Sequence, residues 1–266
     1  MGKKTRSKKN SVSDFVPPPA TPLEAAEDLI YEAWEASSAR RRVSLAKKAL
    51  ELSPDCADAY LILAGATAKT LDDVIGLCRK GVEAGERALG KSYFEEEVGY
   101  FWGLIETRPY MRARAGLAAA LWLAKSYDEA VGHYWDMLRL NPDDNQGIRD
   151  RLMSHLLELG RADEAERLFG QYEDECSATW EYSRALLDFL KEGDSKTARK
   201  SLKDAIEANA HVPGYLLDPM KMPPGMPGLY SLGDENEAQL YVIYHSKAWQ
   251  KAPGALDWLR ARTARG

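Results

Sequence analysis

The sequence predicts an all-α fold, a solenoid of stacked helical hairpins closed by a C-terminal helical cap. Three observations carry this. Residues 111–213 fall into three rows that superimpose at steps of 35 and then 33 residues. The rows read Leu117, Leu121, Ala130, Tyr134; then Leu152, Leu156, Ala165, Phe169; then Ala185, Phe189, Ala198, Leu202. Gly160 and Gly193 stand at the same point of successive rows, where a helix has to stop and turn, and glycine accepts the left-handed backbone that such a stop requires.

A period near 34 residues, with small residues where helices touch, is the tetratricopeptide pattern. One hairpin has an apolar face too small to stabilise itself, so hairpins stack and bury that face against the next. Asp128-Glu129-Ala130 returns as Asp163-Glu164-Ala165, and Pro142 closes the first row.

The elements follow in chain order. Residues 1–20 read as a disordered basic arm with Lys3, Lys4, Arg6, Lys8 and Lys9 and the run Pro17-Pro18-Pro19. It is either an electrostatic handle, for nucleic acid among others, or a solvated tail. Residues 21–110 carry N-terminal hairpins. Thr21-Pro22-Leu23-Glu24 starts the first helix with a cap, a proline and acidic residues in the first turn. Helices are expected to about Ser37, over Arg40–Leu52, over Asp55–Lys69 and over Leu71–Ala84. The period then breaks, and the spacing of Phe94, Val98, Phe101, Trp102 and Ile105 predicts a helix over Phe94–Glu106. This aromatic region, 93–110, is either a ligand-facing insertion or packing between two sub-arrays. Glu95-Glu96-Glu97 reads as a solvated face. After the three regular repeats, residues 214–266 combine a proline-rich extended segment, expected to lie across the last hairpin, with capping helices over Glu235–Lys247 and Ala255–Thr263.

Composition limits the function classes. The charge balance is 36 basic to 41 acidic residues, net −5, which argues against general nucleic-acid affinity outside the arm. Cys56, Cys78 and Cys176 are widely spaced and form no Cys-x-x-Cys pair, which suggests neither a zinc ribbon nor a disulfide framework and suits a reducing cytoplasm. No run of 18 apolar residues predicts a membrane span. His133, His155, His211 and His245 have no helical-spacing partners, and no phosphate loop or nucleophile elbow occurs. No cofactor, metal or catalytic residue is expected, and the sequence predicts a non-enzyme.

The expected site is a groove. The first helix of each hairpin lines the concave surface of such a stack, and the register places Arg112, Trp122, Arg151 and Arg184 on or near it. Arginine's planar fork suits a carboxylate, so a protein or peptide partner is expected, an acidic one if the arginines hold it. In co-chaperone repeats, basic residues at such positions hold an acidic peptide end; the asparagines of that clamp are missing here. The alternative is that these arginines pair with acids such as Asp150 or Glu181 within the stack. Rival functions are an enzyme accessory or small-ligand binder using region 93–110, and nucleic-acid contact through the arm.

Two stretches carry a closer resemblance. One is Ser53-Pro54-Asp55-Cys56-Ala57-Asp58-Ala59-Tyr60, running to Ala64, with Ala84-Gly85-Glu86. The other is His211-Val212-Pro213, Tyr215-Leu216-Leu217, Gly233-Asp234-Glu235, Trp249 and Gly254-Ala255-Leu256. Together they resemble the soluble helical part of the suppressor of tumorigenicity 7 family, and bacterial tetratricopeptide proteins with the same C-terminal motif. The resemblance implies an α-helical repeat fold with no catalytic residues to carry over. Its eukaryotic members carry hydrophobic N-terminal spans that this sequence lacks, so membrane residence is not implied.

Overall fold

A computed structural model describes residues 21–264. The basic arm, residues 1–20, lies outside the described residues. All regular structure among the described residues is helical. Five hairpins run α1 Pro22–Glu35 with α2 Ala39–Leu52, α3 Ala57–Thr67 with α4 Leu71–Glu96, α5 Arg108–Leu123 with α6 Tyr127–Leu140, α7 Ile148–Glu158 with α8 Ala162–Gln171, and α9 Ala178–Glu192 with α10 Lys196–Ala208. Three more α-helices follow, α11 Val212–Leu217, α12 Glu235–Lys251 and α13 Ala255–Thr263, with a short 3-10 helix at Pro219–Lys221 between the first two.

Local chemistry sets the starts. Thr21 and Glu24 form a reciprocal capping box on α1, with Pro22 in its first turn, and Thr70 with Asp73 does the same on α4. Asp234 opens α12 by accepting from the Glu237 backbone N–H at 2.8 Å. The repeat register holds: Leu117, Leu121, Ala130, Tyr134, Leu152, Leu156, Ala165, Ala185, Ala198 and Leu202 are all buried. Gly160 and Gly193 have φ of +69° and +64°, the left-handed stops that their positions predicted.

Glycine also sets how closely α4 meets α5. A Cβ on Gly85 would stand 2.8 Å from the Tyr110 Cβ and 3.0 Å from its Cα, and one on Gly81 would stand 3.2 Å from the Ala113 Cβ. Alanine raises helix propensity by about 1 kcal/mol over glycine, but the clash at 85 is with backbone that cannot rotate away. Gly85→Ala is therefore expected to destabilise the fold by about 1–3 kcal/mol in chemical denaturation.

Region 93–110 corrects the expected helix over Phe94–Glu106. Helix α4 bends at Gly90, where φ is +70°, and ends at Glu96. Turns then run to Thr107. The backbone N–H groups of Gly99 and Phe101 both donate to the Leu140 carbonyl at the end of α6, at 3.0 and 3.2 Å, in place of helical bonds. Phe101 is fully buried and meets Phe94 and Tyr110 with ring centroids 5.1 and 6.0 Å away, while Ile105 is exposed. The 3–4 spacing of apolar residues was thus produced by an anchored series of turns. Phe94, Phe101 and Tyr110 pack together where α4 meets α5.

The C-terminal segment closes the stack and also doubles back. Helix α13 caps the end: Trp258 stacks on Phe189 at 4.6 Å and donates to Asp194 at 2.8 Å, and Arg262 pairs with the same carboxylate. Helix α12 instead packs along α7 and α9, both of them first helices of hairpins. The Ser154 hydroxyl on α7 donates to the Tyr244 carbonyl at 2.7 Å. Trp249, fully buried, donates its indole N–H to the Tyr241 hydroxyl at 2.7 Å. Buried Glu237 accepts from the Ala178 N–H, the Asn209 amide and the Gly233 N–H at 2.9, 2.9 and 2.7 Å. The connecting segment before α12 leaves Met220 and Leu229 exposed.

Candidate partner-binding surface

The first-helix face has two halves. Along α7 and α9 it is covered by the chain's own α12. Along α1, α3 and α5 it is open as a cleft of about 380 Å³, closed at one side by the turn that carries Ile105 and Glu106. Tyr31 and Trp34 of α1 form its aromatic wall, edge to face at 5.4 Å, and Tyr31, Trp34 and Ile105 are 54%, 46% and 63% exposed. Helix α1 exposes these rings because Ala26, Ile30 and Ala33 bury the opposite face against the hairpin.

The charge of the cleft is acidic. Glu24, Glu27, Asp58 and Glu106 line it with Arg108 and Arg112. Both arginines are already engaged. Arg112 grips the buried Asp58 through two bonds, Nε at 2.8 Å and an Nη at 2.5 Å, and lies over the Trp34 ring at 5.1 Å. Arg108 donates to the Trp102 carbonyl at 3.0 Å. Glu24 is held by the Thr21 cap. Glu27 and Glu106 have no cation within ion-pair distance among the described residues. Burial, followed by the nearby carboxylates of Asp58 and Glu106, pushes the Glu27 carboxyl up from its ordinary value. An arriving cation would relieve that repulsion.

The four expected site residues do not form one row. Arg112 lines the open cleft, but as the partner of Asp58. It also stands one helical turn before Gly116, which is the residue truly in register with Arg151 and Arg184. Trp122 is half-buried and stacks on His155 at 3.5 Å, joining the third hairpin to the fourth. Arg184 pairs with Glu166 at 2.8 Å and lies 3.7 Å over the Phe169 ring, in a separate depression between α8 and α9. Arg151 is exposed and lines a third cavity, beneath α12. No cavity among those described is lined by two of the three arginines. The expected internal pairing occurs with other acids, Asp58 and Glu166 in place of Asp150 and Glu181.

Sequence reasoning missed Tyr31, Trp34, Glu27 and Glu106. A signal was present for the first pair, since two large aromatics on α1 fall off the Ala26–Ile30–Ala33 stripe. Glu106 could not be placed, because its position depends on the turn that replaced the expected helix. Among the described residues no helix is long and apolar enough to cross a membrane.

The family model described as "ST7 protein" matches residues 15–263. The human suppressor of tumorigenicity 7 protein-like is 27% identical over 262 residues, covering 90% of this chain and 45% of that protein. The ST7 homolog of Drosophila pseudoobscura pseudoobscura is 27% identical over 259 residues, covering 87% and 47%. The homolog of Caenorhabditis elegans is 26% identical over 274 residues, covering 88% and 50%. The chain thus spans about half the length of the curated relatives it matches. Among solved structures, that of YrrB, described as a TPR protein with an unusual peptide-binding site, superimposes with a TM-score of 0.48 at 20% identity, covering 70% of this chain and 84% of that one. The family match runs through all five hairpins and both closing helices, and the chain belongs to the ST7 protein family.

Proposed function

We propose that this chain is a non-catalytic interaction scaffold that holds a basic peptide segment of a partner protein in the cleft between α1, α3 and α5. One observation carries the reading: α12 fills the inner face of the last two hairpins, while the inner face of the first three is left open, aromatic and acidic. Exposed Trp and Tyr offer flat faces to a Lys or Arg side chain, and the unpaired Glu27 and Glu106 offer its countercharge. This chemistry favours a basic segment over the acidic peptide end that the arginine pattern suggested. The free thiols of Cys56, Cys78 and Cys176 suit a reducing cytoplasm.

The test is fluorescence anisotropy with two labelled peptides of one length, one alternating Lys and Arg with aliphatic residues, the other replacing the cations by Glu. The basic peptide should bind more tightly and weaken as salt rises, since the contacts are partly exposed. Trp34→Ala and Glu27→Lys should each weaken it about tenfold or more, leaving helicity by circular dichroism intact. Removing residues 1–20 distinguishes a competing occupant: tighter peptide binding would mean that the chain's own basic arm uses the same cleft. Preference for the acidic peptide, lost on charge reversal at Arg151 and Arg184, would restore the arginine reading and overturn this one.

A further inference from the structure

The cavity beneath α12 is independent of the open cleft. It measures about 240 Å³ and lies where α12 crosses the N-terminal end of α7. Liquid water occupies about 30 Å³ per molecule, and drug-sized ligands fill cavities of about 300 Å³ or more, so the space suits a small metabolite. Its polar lining has unmet demand. His245 is 2% exposed and lines the cavity, and its Nδ1 has no hydrogen-bond partner. The side-chain oxygen of Gln146 is buried and likewise lacks a partner. Glu237 also borders the space, but its carboxylate is filled by three N–H donors and is unavailable.

Two opposite charges face this cavity without meeting each other. Asp150 and Arg151 are sequence neighbours on α7, so their side chains leave the helix about 100° apart. Neither has an oppositely charged group within ion-pair distance among the described residues. The adjacent Arg149 is committed to Asp144 and Glu175, and Arg151 otherwise faces Tyr134 and His155. A helix surface could leave either charge to water. Here both border one concave space, and two residues of its wall, His245 and Gln146, each carry a buried side-chain atom without a partner.

We propose that this cavity binds a small zwitterion of the free amino-acid class, its carboxylate on Arg151 and its ammonium on Asp150. Such a ligand supplies both missing countercharges at once, which neither an amine nor a carboxylate alone would do. Burial also pushes the Asp150 carboxyl up to about 6, and a bound ammonium is the natural group to offset that cost.

The test is isothermal titration of the full chain with each free L-amino acid, and with the amine and the desamino acid corresponding to the best binder. At least one amino acid should bind saturably, and each monofunctional analogue should bind about tenfold more weakly or worse. Arg151→Ala should cost about tenfold for the amino acid and little for the amine. Asp150→Asn should show the reverse selectivity, losing the amino acid while sparing the desamino acid. Arg151 is exposed and Asp150 half-buried, and unchanged circular dichroism would confirm that the fold persists in each variant. Absence of saturable binding by every amino acid at millimolar concentration would overturn the proposal. So would equal binding of the amine and its amino acid, or affinity unchanged in both variants.

Discussion

Trp249→Ala should destabilise the protein by about 3–5 kcal/mol, the range for removing a fully buried tryptophan. The indole is fully buried, donates to the Tyr241 hydroxyl at 2.7 Å and lies parallel to Trp258 at 6.4 Å. It thus ties α12, which covers α7 and α9, to α13, which caps the end of the stack. Its loss leaves a cavity and strips Tyr241 of a partner in the same place. Domains of this kind are stable by about 5–15 kcal/mol, so the variant should be partly unfolded under mild denaturant. Urea denaturation followed by circular dichroism measures this. A loss below about 1 kcal/mol would mean that α12 is a loosely held strap and not part of the core.

Acid sensitivity should follow from His245. Burial, and secondarily the neighbouring His155, lowers its pKa to about 3, far below its ordinary value near 6.5. The unfolded chain therefore takes up this proton first. The stability that the neutral imidazole brings is fully present above about pH 6.5 and is lost progressively as the pH falls towards 3. Between pH 7 and 5 this one group should cost about 2 kcal/mol. His155, half-buried, is lowered by burial and by Arg151 and Lys247, and adds in the same direction. The carboxyls of Asp150, Asp144, Glu27 and Glu181 are pushed up by burial and work the other way, gaining stability as they protonate. The effect of His245 is isolated by comparing wild type with His245→Gln across pH 7 to 5. The variant's stability should fall less steeply, by up to about 1.4 kcal/mol per pH unit. Parallel curves would show that the imidazole is already solvated in the folded state.

How much of this was legible in the sequence depends on whether a feature is local or repeats. The repeat register was legible because Leu117, Leu152 and Ala185 must all face the same kind of neighbour, and Gly160 and Gly193 must stop the same helix. The cap at Thr21 was legible too, since it acts within one turn. The Phe94–Glu106 helix failed because apolar spacing does not distinguish a helix from turns pinned by a distant carbonyl, here Leu140. The site was the least legible. A repeat tells which helix faces inward, but not whether the chain's own C-terminus returns to fill that face. The Arg151 and Arg184 pattern was therefore correct in register and yet divided, with one residue under α12 and the other against Glu166. Arg112 was drawn into the row by its charge, although Gly116 occupies the equivalent place. The open cleft arises from Glu106, Asp58 and Trp34, residues from three elements that no spacing rule relates.

The inner face is open along α1, α3 and α5 and covered by α12 along α7 and α9. Hydrogen–deuterium exchange with and without the saturating basic peptide tests it most directly. Added protection confined to residues 22–35, 57–67 and 105–115, with 148–158, 178–192 and 235–251 unchanged, is the predicted result. Protection appearing on α7 and α9 together with faster exchange in α12 would contradict it, because the partner would then have displaced the helix that closes that face.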